Sequence, residues 1–276
     1  MAQKGYIDLH VHGLGGFDTR TTVPGELMKL AVAQGRAGVS AFLPTIYSGP
    51  IDAMRGQMAA VCEAMCLQKT GAKILGVHLE GPFLSPKRAG AQDAGTFMRP
   101  TLSNLKKLIS GFEGAVKVIT LAPELSGALR VIERCASLGI RVNMGHSDAT
   151  HAQAMAGKRA GASGVTHLFN AMRPFHHREP GLAGAGLLDE ELYAEVIPDG
   201  VHLSAEVLRM VFKTKPEGRI ILVSDAVKGP QYRKGVLQGG AVSLARGVGV
   251  LRGLGIGEKA IDRAARTNPA RYLKGV

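Results

Sequence analysis

Eight short runs of apolar and β-branched residues recur along the chain, and the stretches between them carry helical patterns. The runs are Tyr6 to His12, Val39 to Pro44, Ile74 to Leu79, Val116 to Leu121, Arg141 to Met144, Gly164 to Leu168, Tyr193 to Ile197 and Arg219 to Val223. Between them, Glu26 to Ala37, Ile51 to Gln68, Leu125 to Leu138, His151 to Ala160 and Ser204 to Lys213 place apolar residues at helical spacing. Strands that alternate with helices pair in parallel, with the helices packed outside them. Eight such units close a (β/α)8 TIM barrel, an architecture of roughly 250 residues. The 276 residues, 45% of them hydrophobic, therefore predict one barrel spanning 1–276 and no second domain. A last helix, Glu258 to Arg266, is expected to stop before a break at Asn268-Pro269, and the Gly-rich stretch Lys228 to Gly249 reads as a mobile loop.

Composition narrows the setting. No apolar run approaches the roughly 20 residues that a membrane span requires. Met1 to Gly5 lead straight into the first strand pattern without a signal-peptide core, which predicts a cytoplasmic protein with no membrane partner. Three cysteines cannot all pair with one another, and Cys62 and Cys66 stand four apart in a helical stretch, so all three read as reduced packing residues. The net charge is +12, and most of the excess lies between Arg209 and Val276. These basic residues are scattered among Ala, Gly and Leu without interleaved aromatics, which reads as solvated surface and argues against a nucleic-acid partner.

Chemistry-bearing residues collect where the strands end. In a barrel of this kind the active site lies at the C-terminal face of the strands. The first strand ends in Asp8-Leu9-His10-Val11-His12-Gly13, and alternation points His10 and His12 to the same side, so two imidazoles can converge on one ion. The third ends in His78-Leu79-Glu80-Gly81-Pro82-Phe83, the fifth in Gly145-His146-Ser147-Asp148, the sixth in Thr166-His167-Leu168-Phe169-Asn170, and the eighth in Ser224-Asp225-Ala226. Imidazole and carboxylate donors from five strands suit zinc and similar divalent ions. His78 shares a face with Glu80 and is read as a supporting or packing residue.

The same segments carry a family resemblance. The runs His78-Leu79-Glu80-Gly81-Pro82-Phe83, Gly145-His146-Ser147, His167-Leu168-Phe169-Asn170-Ala171-Met172, Arg178-Glu179-Pro180-Gly181, Asp199-Gly200-Val201-His202 and Ser224-Asp225-Ala226 resemble the N-acetylglucosamine-6-phosphate deacetylases of the amidohydrolase superfamily. The matches follow family order from Asp8 to Asn268-Pro269-Ala270-Arg271. The resemblance implies metal-dependent hydrolysis of an acetamide on an amino-sugar phosphate. It makes Glu80, His146 and His167 the primary metal ligands and Asp225 the general acid/base, while His10 and His12 match members that can hold a second ion. The implied cofactor is zinc, one or two ions, with iron, manganese or cobalt as alternatives. Substrate contacts fall on Ala91, Gln92, Asn170, Ala171, Arg178, Asp199 and His202, and on Leu237, Gln238 and Gly239. A homodimer is implied as well, because in the family the Arg178 loop can reach a neighbouring subunit.

Two departures stand out. Typical members add a small β-sandwich built from both chain ends, and this sequence begins at the first barrel strand, so the sandwich is expected to be absent. Gln92 stands where many members have a histidine that contacts the substrate, and an amide can donate a hydrogen bond but cannot be protonated. A related amidohydrolase acting on N-acetylgalactosamine 6-phosphate or a cyclic amide would keep the metal ligands. A nucleic-acid-binding barrel would have no need of them.

Overall fold

The computed structural model describes residues 5–229, 232–233, 236–237, 239–240 and 242–274. Its eight barrel strands are β1 (Tyr6–Val11), β2 (Val39–Tyr47), β3 (Val77–Glu80), β4 (Val116–Leu121), β5 (Arg141–Met144), β6 (Gly164–Val165), β7 (Tyr193–Val196) and β8 (Ile220–Leu222). Each pairs in parallel with the next in chain order. The seam between β8 and β1 is joined just beyond the ladder, where Asp225 N donates to His10 O at 2.8 Å and His12 N donates to Ala226 O at 2.8 Å. Helices α1 (Pro24–Arg36), α2 (Ile51–Leu67), α3 (Leu102–Ile109), α4 (Ala128–Ser137), α5 (His151–Arg159), α6 (Gly181–Leu188), α7 (Ala205–Thr214) and α8 (Leu244–Gly253) follow the strands in turn, with α9 (Glu258–Asp262) and α10 (Asn268–Lys274) after them. The expected (β/α)8 barrel is the observed fold. Among the described residues no helix is long and apolar enough to cross a membrane.

Local chemistry sets the helix starts. Pro24 occupies the first turn of α1, where its missing N–H costs nothing, and Glu26 adds favourable charge at the same end. Thr150 and Gln153 cap α5 reciprocally, Thr101 caps α3 and Ser204 caps α7. The amphipathic helices bury one stripe against the sheet, as α1 does with Leu27, Leu30 and Ala31, whereas α6 is buried from Gly181 through Leu187. Inside the barrel, Leu9, Leu43, Val118, Ile197, Ile221 and Val223 pack around Tyr272, a fully buried side chain supplied by α10. Tyr272 plugs the N-terminal end, because its neighbours Arg141, Ser163 and Tyr193 stand at the starts of β5, β6 and β7.

Three expectations change. Part of the stretch read as a mobile loop, Lys228 to Gly249, belongs to α8, whose Leu244, Val248 and Leu251 bury a stripe that outweighs three helical glycines. Asn268-Pro269 does not end the chain's helical course. A wide π-turn over Arg263–Thr267 leads into α10, and Pro269 sits in the first turn, where proline is tolerated. The sixth strand stops at Val165 rather than Leu168, because His167 and Phe169 take positive φ values of 29° and 74° that no strand can contain.

Candidate metal centre

The barrel delivers the strand-end residues to one spot. Glu80 ends β3, while His10 and His12 lie in and just past β1, and all three are buried. His146, His167 and Asp225 follow β5, β6 and β8 on backbone turned into the left-handed region, with φ of 45°, 29° and 48°. Non-glycine residues in that region store strain, and such strain collects at functional sites.

Two donor groups face each other. Glu80 Oε1 lies 3.0 Å from His146 Nε2 and 3.1 Å from His167 Nε2. Asp225 Oδ1 lies 3.3 Å from Nε2 of both His10 and His12. Glu80 also approaches the second group, 3.4 Å from His10 Nε2 and 3.2 Å from His12 Nε2. The ring nitrogens crowd each other: His10 and His12 Nε2 are 3.2 Å apart, as are those of His146 and His167.

The outer ring nitrogens fix which atoms face inward. His12 Nδ1 donates to Thr45 O at 3.0 Å, and His146 Nδ1 donates to Arg88 O at 3.0 Å. Each leaves Nε2 as the inward atom. Tyr47, the last residue of β2, stacks on the His12 ring at 3.6 Å. His78 is spent on structure, as expected: Nδ1 donates to Leu9 O at 2.9 Å and Nε2 accepts from Thr120 Oγ1 at 2.8 Å. Burial and the neighbouring His10 charge hold His78 well below the usual histidine range, so it stays neutral.

Electrostatics mark a trap for positive charge. Burial alone would lower His10, but Asp225 and Glu80 more than offset it and hold the imidazole well above its ordinary range; His12 is raised in the same way. Burial would raise Glu80, yet the imidazoles of His10 and His146 keep its carboxyl well below the usual range, and Asp225 is lowered by His10 and His12. Carboxylates that favour protons on buried imidazoles favour a divalent cation in their place. The donor set fits that ion: the ligand atoms of Glu80, His146 and His167 lie within 4.8 Å of one another, as do those of His10, His12 and Asp225. Asp225 Oδ1 is buried and lacks a hydrogen bond, a cost that a cation would relieve.

A cavity of about 230 Å³ opens onto these groups. Ala91, Gln92, Asn170, Ala171, His202 and Gly239 line it. Gln92 is held at both ends of its amide, accepting from Ser48 N at 3.0 Å and donating to Glu80 Oε2 at 2.6 Å. Asp199 is not part of the lining. It sits behind His202, with Oδ2 2.8 Å from His202 Nδ1. Arg178 lies on an exposed loop, its guanidinium 2.9 Å from His177 Nε2 and outside the lining. Gln238 and the side chain of Leu237 lie outside the described residues.

Sequence reasoning passed over Glu195, Tyr47 and Gly90. Glu195 Oε2 lies 3.3 Å from His10 Nδ1 inside the barrel, and its signal was an acid in the middle of an otherwise apolar strand. Gly90 has a φ of 58°, and a Cβ there would meet Ala171 Cβ at 3.2 Å and His146 Cε1 at 3.4 Å.

No family model matches the chain. It is 37% identical over 223 residues, 81% of its length, to the N-acetylgalactosamine-6-phosphate deacetylase of Escherichia coli O157:H7 and covers 59% of that protein. It is 35% identical over 243 residues, 87% of its length, to the N-acetylglucosamine-6-phosphate deacetylase of Bacillus subtilis and covers 61% of it. The chain thus spans about three fifths of the length of these curated relatives. Among solved structures, the N-acetylglucosamine-6-phosphate deacetylase of Pasteurella multocida superposes with a TM-score of 0.91 at 27% identity, covering 99% of this chain and 76% of that one. A mutant of the Mycobacterium smegmatis enzyme, in complex with N-acetyl-D-glucosamine-6-phosphate, gives 0.90 at 28% identity, covering 98% and 77%. In its strand-end residues, its sequence and its barrel, the chain is similar to the N-acetylglucosamine-6-phosphate deacetylases over the part of their length that it spans.

Proposed function

We propose that this chain hydrolyses the acetamide of N-acetylglucosamine 6-phosphate, giving glucosamine 6-phosphate and acetate. The observation that carries the reading is the buried set of Glu80, His146 and His167 facing Asp225, His10 and His12 at the mouth of the barrel. Glu80, His146 and His167 would hold a primary divalent ion, zinc by its donors, and His10, His12 and Asp225 a second. When bound, such an ion supplies Lewis acidity, which acidifies water and polarises an amide carbonyl.

The protein's own groups do the rest. The oxygen of the attacking water joins the acetyl carbon, and Asp225 takes the proton that the water loses. As the carbon–nitrogen bond breaks, Asp225 returns that proton to the departing nitrogen, leaving a free amine and acetate. The Gln92 amide, pinned by Ser48 and Glu80, presents its cavity edge to the acetamide, and His202, oriented by Asp199, presents its free ring nitrogen to the sugar. Arg178 offers a planar fork of donors suited to phosphate. Its exposed position fits a role completed across a homodimer, where the loop of one subunit serves the site of the other.

A second substrate, N-acetylgalactosamine 6-phosphate, is favoured by the likeness to the Escherichia coli protein named for it. The deciding experiment compares acetate release from both phosphorylated sugars and from unphosphorylated N-acetylglucosamine, with added zinc. Release from a phosphorylated sugar and little from the plain one is expected; zinc-dependent turnover that ignores the phosphate would refute the substrate assignment.

A further inference from the structure

Glu195 is a carboxyl group sealed inside the barrel, 1% exposed, and only a strong local use offsets the cost of burying it. Among the described residues its side chain has two hydrogen-bonding partners. Oε1 accepts from Asn143 Nδ2 at 2.8 Å, and Oε2 faces His10 Nδ1 at 3.3 Å. Asn143 in turn accepts from the Tyr272 hydroxyl, which lies 2.9 Å from Ser163 Oγ. A buried polar chain therefore runs from α10 through β5 and β7 to the far side of the His10 ring. Gly164 makes room for it, since a Cβ there would stand 2.3 Å from Asn143 Oδ1.

The cluster of His10, His78 and Glu195 has the spacing of a metal site of its own. His78 rules that out, because Leu9 O and Thr120 Oγ1 occupy both of its ring nitrogens. What remains is a carboxylate behind an imidazole. His12 and His146 rest their Nδ1 atoms on backbone carbonyls, whereas His10 rests its Nδ1 on a charged group. A carbonyl fixes the tautomer; a carboxylate also makes the opposite nitrogen a stronger donor to a metal.

We propose that Glu195 is a positioning residue for the second cation site, holding the His10 Nδ1–H so that Nε2 faces Asp225 and Glu80. The proposal rests on the two-ion reading above. On that reading the second ion is the weaker one, being placed beside a charge already bound, and the carboxylate behind His10 raises its affinity.

The test uses the metal-free 276-residue chain, wild type and the variants Glu195→Leu, Glu195→Gln and Tyr272→Phe. Zinc is titrated against a chromophoric chelator, and the His10 ring is followed by nitrogen-15 NMR of histidine-labelled protein, assigned with His10→Asn. In wild type the His10 Nδ1–H is expected as a downfield, slowly exchanging proton. Glu195→Leu should abolish that signal and weaken the second zinc equivalent on the order of 10–100-fold, with the first unchanged. Glu195→Gln keeps an acceptor and should fall between. Tyr272→Phe should lower the melting temperature and leave both equivalents intact.

Persistence of the protected proton in Glu195→Leu overturns the proposal, as does equal weakening of both equivalents together with a lower melting temperature. Should Glu195→Leu fail to fold, an unchanged second equivalent in Glu195→Gln overturns it instead. If wild type takes up one equivalent only, the two-ion reading fails. The His10 proton then decides the part played by Glu195, its loss in Glu195→Leu supporting the positioning and its persistence refuting it.

Discussion

Gly164→Ala adds a single methyl group, yet the structure predicts a large penalty for it. The new Cβ would lie 2.3 Å from Asn143 Oδ1, 3.2 Å from Asn143 Cγ and 3.0 Å from Tyr272 Oη. Relief to ordinary contact requires the Asn143 oxygen to retreat by about 1 Å. Asn143 has no slack, since its amide is tied to Glu195 at one end and to Tyr272 at the other. Moving it disrupts both bonds inside the barrel, where no water can replace them, at about 1–3 kcal/mol each. Against this stands a gain of about 0.4–1 kcal/mol from a stiffer unfolded chain. The net expectation is a loss of about 3 kcal/mol, seen as a fall in melting temperature of roughly 6–12 °C for a chain of this size. Urea denaturation and calorimetry measure it directly. The cause is checked in an Asn143→Ala background, where the clashing oxygen is gone and Gly164→Ala should cost almost nothing further. A single-mutant loss below about 1 kcal/mol, or a full loss that persists without Asn143, would refute the reasoning.

Other outcomes follow from the site and its supports. Asp225→Asn should keep the fold, because asparagine tolerates the left-handed φ of 48°, and should cut turnover on the order of 10²-fold or more in an acetate-release assay. Arg178→Ala should raise KM for the phosphorylated sugar far more than for its plain analogue, and equal effects on both would make Arg178 structural. Burial lowers the Lys215 ammonium to about 8, so between pH 8 and its unfolded value near 10.5 the unfolded chain binds more protons. Stability from this group therefore rises with pH across that window, by up to about 1.4 kcal/mol per pH unit, and Lys215→Met should remove that part of the slope in urea titrations at pH 7.5, 9 and 10.

The sequence made most of the barrel readable because its strands are short apolar runs bounded by strong helical periods. Val116–Leu121 and Arg141–Met144 have the bounds that alternation and β-branching predict. The convergence of the candidate donors was readable for a related reason. Histidines and acids at the ends of apolar strands have no packing use there, so their positions gave them away. Glu195 escaped because its value depends on a partner 185 residues distant, and nothing local in Tyr193–Val196 names His10. The helix Leu244–Gly253 escaped because Gly247, Gly249 and Gly253 lower its propensity, while burial of Leu244, Val248 and Leu251 against the barrel decides the outcome. Tyr272 escaped for the opposite reason. It follows a proline that reads as a stop, and its burial depends on a barrel interior that no window of sequence contains.

The seam between the last strand and the first explains why fold and site are hard to separate in this chain. β8 and β1 meet through Asp225 N to His10 O, His12 N to Ala226 O, and Ser224 N to the Asp8 carboxylate at 3.1 Å. The residues that stitch the seam therefore include His10, His12 and Asp225, one of the two donor groups at the barrel mouth. Gly240 shares the seam: its N–H donates to Asp225 O at 2.7 Å, and a Cβ on it would fall 1.8 Å from Ser224 O. Five non-glycine residues near the mouth, His146, His167, Phe169, Ala171 and Asp225, hold positive φ, each at a cost of order 1–3 kcal/mol. Strain of that size persists only where surrounding contacts over-determine it. For Asp225 the docking of the last strand on the first supplies such contacts, to His10 O and Gly240 N, while Ser85 N and Ser147 N hold His146 O and Ala171 O.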